Sequence, residues 1–82
     1  MVRGFTRLER MARNPRDNWV INDIEIVCRE NGLECIPPRG GGSHYKVSGG
    51  GFMLTIPAGR RIKPVYIKAL VGLIRKIRDE RA

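Results

Sequence analysis

The sequence predicts an α+β domain in the order (α)-α-β-β-β-α, with a three-stranded antiparallel sheet carrying its helices on one face. Three observations point to it. Apolar residues recur at helical spacing before Asn31-Gly32 and again after Pro64. Between those stretches lie three short runs with strand character. Proline and glycine pairs and triplets separate the runs, as turns demand.

Taken in order, residues 1–17 form a basic leader, and 18–82 form the domain proper. Met1 to Arg16 carries five arginines against a single acid, Glu9. Phe5, Leu8, Met11 and Ala12 fall at helical spacing, so a short amphipathic helix is expected until Asn14-Pro15 stops it. Such a helix either docks on the domain or reaches out as an arm to a partner, and packing is the commoner use of an apolar stripe.

The next helix is expected to begin at Asn22. Asn22-Asp23-Ile24-Glu25 has the form of a capping box, with Asn22 as N-cap and Glu25 at the third helical position. Ile21 and Ile26 then take the positions of a hydrophobic staple, while Ile24, Val27 and Cys28 supply the buried face. Asn31-Gly32 ends the helix, because glycine accepts the left-handed conformation without a Cβ clash. Asp23, Glu25 and Glu30 make this element locally acidic. It is unsuited to facing a polyanion.

The strands are expected at Leu33 to Pro37, His44 to Ser48 and Phe52 to Ile56, the last two joined by the turn Gly49-Gly50-Gly51. Phe52, Leu54 and Ile56 share one face, which packs on the helices. Pro57 closes the sheet. The loop Ala58 to Lys63 leads to a helix running from Pro64, whose missing N–H is no loss there, to about Asp79. Its stripe is Tyr66, Ile67, Leu70, Leu73, Ile74 and Ile77. Lys63, Lys68, Arg75, Arg78 and Arg81 line one flank, and Arg60 and Arg61 extend it.

A formal charge of +8 on 82 residues favours a polyanionic partner by field alone, without choosing among RNA, DNA, a membrane surface and an acidic protein. A chain this short has room for one thin core and no deep cavity, which suits a polymer better than a buried metabolite. No apolar run approaches the ~20 residues that a membrane span needs. Cys28 and Cys35 have no metal-ligand spacing, and no signal peptide is evident. Reduced thiols in a cytoplasmic protein are expected.

The chemistry centres on Gly40-Gly41-Gly42-Ser43-His44-Tyr45-Lys46-Val47, which holds the only histidine. Glycine lets another backbone come close, and histidine is the side chain that titrates nearest neutrality. Strand alternation puts His44 and Lys46 on one face and Tyr45 and Val47 on the other. A base and a cation on one face suit phosphate-ester chemistry. In metal-independent RNA cleavage the ribose 2′-hydroxyl attacks the phosphorus, which requires a base, a cation at the phosphate and a proton for the leaving 5′-oxygen. His44 is the base candidate and Lys46 the first candidate for phosphate stabilisation. Ser43 and the Gly41–Gly42 backbone N–H groups are further donors. Arg60, Arg61 and Lys63 are candidate clamps on the RNA backbone. The general acid is not identified, since Tyr45 points away from His44.

These residues also resemble a known family. A helix ending in Asn31-Gly32, then Gly42-Ser43-His44-Tyr45-Lys46-Val47, then Leu54-Thr55-Ile56-Pro57 and a final apolar-basic helix are similar to the HicA toxins of type II toxin–antitoxin systems, over about Ile21 to Ile77. The resemblance implies a double-stranded-RNA-binding-domain-like fold and an endoribonuclease that cleaves mRNA to block translation. It implies His44 as the catalytic residue, no metal or other cofactor, and a HicB-type antitoxin that covers the histidine. Many members carry a further histidine after the proline that closes the third strand; here Ala58-Gly59-Arg60-Arg61 follows Pro57. Two rivals stand beside this reading. One is a non-catalytic RNA-binding module, in which the same sheet and basic patches hold a duplex without cutting it; the leader, where it does not dock, is an arm that touches RNA. The other is a domain whose charge attracts an acidic protein.

Overall fold

The computed structural model describes residues 6–81. Phe5, counted in the first apolar stripe, lies outside them, as does the side chain of Arg81. The elements are α1 (Arg7–Arg13), α2 (Ile21–Glu30), β1 (Glu34–Ile36), β2 (His44–Gly49), β3 (Phe52–Pro57) and α3 (Pro64–Arg81). The strands form one antiparallel sheet in the order β1-β2-β3. The α+β order expected from the sequence is the order observed. Among the described residues no helix is long and apolar enough to cross a membrane.

Helix α1 is docked. Leu8 and Met11 sink into the core, with Met11 at 0% exposure, and Ala12 packs beside them. Thr6 starts it with a reciprocal cap that the sequence reading missed. The Thr6 hydroxyl accepts from the Glu9 N–H at 3.1 Å, and the Glu9 carboxylate accepts from the Thr6 N–H at 2.8 Å. The Thr6 N–H bond is the main reason the Glu9 carboxyl lies below its ordinary pKa. Arg7 then ties α1 to α2 through Asp23, Nη1 to Oδ1, at 2.7 Å.

Helix α2 begins at Ile21 with Val20 as its N-cap, so the cap lies two residues before the expected Asn22. The capping frame built on Asn22 and Glu25 is therefore corrected. Asp23 sits at the third helical position, and its Oδ2 accepts from the Val20 N–H at 3.0 Å. Valine has no acceptor to return the bond, so only half a box forms. The staple positions move with the frame, from Ile21 and Ile26 to Trp19 and Ile24, and both of the latter are buried. Tertiary burial of Trp19 decides between two frames that look alike locally. The inward face of Ile24, Val27 and Cys28 is as expected, and the helix ends at Asn31 with Gly32 at φ 74°.

In the sheet, Val47 and Ile56 are fully buried, and Cys35, Phe52 and Leu54 pack against the same core. The hairpin is one residue tighter than expected. Gly49 pairs with Phe52, leaving Gly50 and Gly51 as a two-residue turn with φ of 56° and 84°. Both central residues in the left-handed region match the right-handed twist of the strands.

Helix α3 closes the core with Ile67, Leu70, Val71, Ile74 and Ile77, of which Val71 lay off the expected stripe. Lys76 lies 4.6 Å over the Phe52 ring. Trp19 and Ile62 complete the core from two connections. The Ile62 N–H donates to the Trp19 carbonyl at 2.8 Å, and Trp19 Nε1 donates to the Asn14 carbonyl at 2.8 Å. The α1–α2 connection is thereby stitched to the loop between β3 and α3.

Candidate functional site

The turn at Arg39–Gly41 brings the chain into β2, with Gly40 at φ 68° and Gly41 at φ 80°. Those values explain the glycines there, since side chains rarely tolerate them. Gly42 returns to extended backbone, Ser43 follows, and His44 opens the strand. All four of Gly41, Gly42, Ser43 and His44 are exposed.

Alternation along β2 is as expected. His44 and Lys46 are exposed on the outward face, while Tyr45 is half-buried and Val47 fully buried on the inward one. Register fills in the surroundings. Pro57 lies opposite His44, and Lys46 lies between Thr55 on β3 and Ile36 on β1. The same outward face carries two bare apolar side chains, Ile36 at 44% and Met53 at 65% exposure. Among the described residues His44 has no hydrogen-bond or ion-pair partner. Its cross-strand neighbour, a proline, cannot transfer a proton.

The second group of expected residues lies in a cleft. Arg60, Arg61 and Lys63 line it together with Pro57, Gly59, Tyr66, Arg16 and Asp17. His44 is not in its lining, so the expected site residues form two groups. Pro57 connects them, pairing with His44 on one side and lining the cleft on the other. A backbone bond from the Ala58 N–H to the Ser43 carbonyl, 2.7 Å, fixes the same junction. Arg61 is partly committed, since its Nη1 donates to the Asn18 Oδ1 at 2.7 Å. Arg60 and Lys63 make no ion pair among the described residues.

Arg16 and Asp17 were not among the expected site residues. Their position depends on the Trp19–Ile62 backbone bond between segments more than 40 residues apart in sequence. No local pattern announces it. Among the described residues no three His, Cys, Asp or Glu side chains come together in a way that could hold a metal ion. The two cysteines are free, and burial pushes the Cys28 thiol up to about 12 while raising Cys35 as well. Thiols so held are poor nucleophiles, and they sit on the inward side, away from His44. Compared with protein-family models, curated proteins and solved structures, the chain matches none of them.

Proposed function

We propose that the chain is a metal-independent endoribonuclease of the HicA toxin type, acting on mRNA in the cytoplasm and held in check by a HicB-type antitoxin. One observation carries the reading: His44 and Lys46 stand exposed on the same outward face, beside an open glycine turn. In this mechanism His44 takes the proton of the ribose 2′-hydroxyl as its oxygen attacks the phosphorus. The bond from phosphorus to the 5′-oxygen breaks, and that oxygen takes its proton from solvent water, leaving a 2′,3′-cyclic phosphate and a 5′-hydroxyl. Lys46, with Ser43 and the Gly42 N–H, stabilises charge on the phosphorane oxygens. Arg60, Arg61 and Lys63 hold flanking phosphates. The layout, helices on one face of a three-stranded sheet, supports kinship with double-stranded-RNA-binding domains. Ile36 and Met53, bare on the sheet face that also carries His44, are suited to a protein partner that covers the face.

The absence of a second proton-transfer group bonded to His44 among the described residues favours a second reading, a non-catalytic RNA-binding module. Cleavage of a long mRNA in EDTA separates the two. The ribonuclease reading expects cutting by the wild type and a loss of about 10²–10⁴-fold in His44→Ala, the worth of one placed base. Equal cutting by both proteins removes His44 from the mechanism. Binding by both with cutting by neither establishes the RNA-binding module.

A further inference from the structure

The described part of the leader is built into the molecule on two sides. Met11 and Leu8 anchor α1 in the core, and the stretch after it is bonded to the β3–α3 loop at two points, Ile62 N–H to Trp19 carbonyl and Arg61 to Asn18. The bonds set Arg16 and Asp17 into the wall of the cleft whose other charged lining residues are all cations, Arg60, Arg61 and Lys63. Four positive side chains thus surround one concavity with a single carboxylate among them. Arg16 is exposed and makes no hydrogen bond or ion pair among the described residues. It contributes nothing visible to holding the fold.

We infer that Arg16 completes a phosphate-binding cleft with Arg60, Arg61 and Lys63, which takes the backbone of a single RNA strand next to, and not at, the bond that His44 addresses. The inference rests on the ribonuclease reading and extends it to the connection between α1 and α2. Pro57 sets the distance. It pairs with His44, and the three residues from Pro57 to Arg60 span at most about 11 Å of chain. A strand lying across His44 therefore reaches the cleft within a few nucleotides. A single strand is favoured over a duplex on chemical grounds, because in-line attack by a 2′-hydroxyl needs a backbone free to turn. The four cations hold phosphate through charge and take no part in proton transfer. Arg16 is in this sense a positioning residue.

The test is the salt dependence of binding to a short, uncleavable 2′-O-methyl RNA strand, followed by fluorescence anisotropy. It uses the full chain as wild type, Arg16→Ala, Arg16→Lys and, as a control on α2, Arg29→Ala. Removing one phosphate contact flattens the slope of log affinity against log salt by roughly 0.7 for a single strand. Arg16→Ala is expected to bind more weakly and to lose roughly 2.5-fold less affinity than the wild type between 50 and 200 mM salt, values that follow from that slope. Arg16→Lys keeps the wild-type slope, and Arg29→Ala behaves as wild type. A folded Arg16→Ala with unchanged affinity and slope overturns the inference while leaving the RNA reading intact. A wild type with no RNA affinity overturns both and gives the cleft to an acidic protein.

Discussion

Gly50 and Gly51 share one turn, yet an alanine at each is expected to cost different amounts. Both have positive φ, 56° and 84°, so either substitution carries a backbone penalty of about 1 kcal/mol or somewhat more. A Cβ on Gly51 would meet open space, whereas one on Gly50 would lie 3.0 Å from the Ile77 Cγ1 and 3.2 Å from its Cγ2. Ile77 is packed in the core and has little room to yield, which adds an overpacking cost of about 1–3 kcal/mol. Urea denaturation midpoints should fall in the order wild type, Gly51→Ala, Gly50→Ala; equal midpoints would mean that Ile77 moves aside. The three-glycine run announced a hairpin in the sequence. Which two glycines turn was hidden, because register is set by the partners of Val47 and Ile56 in the core. His44 and Lys46 were legible for the opposite reason, since period-two alternation needs no tertiary information.

At the scale of elements, α1 is a structural member of the fold. Met11 is wholly enclosed, so Met11→Ala should cost about 2–5 kcal/mol, the range for opening a cavity in a packed interior. Equilibrium denaturation of the variant checks this, and a loss below 1 kcal/mol would mean that α1 is only loosely held. Its apolar spacing was readable, and so was its stop at Asn14. The frame of α2 was not. Asn22-Glu25 and Val20-Asp23 compete for the same cap, and sequence favours the first because asparagine is the better N-cap residue. Burial of Trp19 and Ile24, with Arg7 holding the other oxygen of Asp23, selects the second. The cleft was illegible in the same way. Its charged residues come from two connections, which the Trp19–Ile62 and Arg61–Asn18 bonds join into one surface.

Across the whole molecule, charge and core are kept apart. No polar or charged residue is buried among the described residues, and the excess of +8 is carried at the surface. One titratable group that couples fold to pH is a buried thiol. Cys28 is 1% exposed between α2 and the sheet, and desolvation, followed by the neighbouring Cys35, pushes it from 9.0 to about 12. The unfolded chain releases this proton near 9.0, while the folded chain keeps it until about 12. Its contribution to stability is therefore complete below about 9 and is lost as pH rises toward 12. Three pKa units correspond to a decline of order 4 kcal/mol. Denaturant midpoints measured from pH 8 to 11 should fall more steeply for the wild type than for Cys28→Ala. Parallel curves would mean that the thiol titrates normally in the native state.

The outward face of the sheet has a genetic consequence. Neither His44 nor Lys46 belongs to the core, so the residues proposed to do the chemistry on RNA are physically separate from those whose burial holds the chain together. Cellular proteases and chaperones survey unfolding and not chemistry. A lineage under pressure to silence the protein could do so by one substitution at His44 and go on accumulating a well-folded, inert product. Abundance in the cell would then say nothing about whether a given allele is alive.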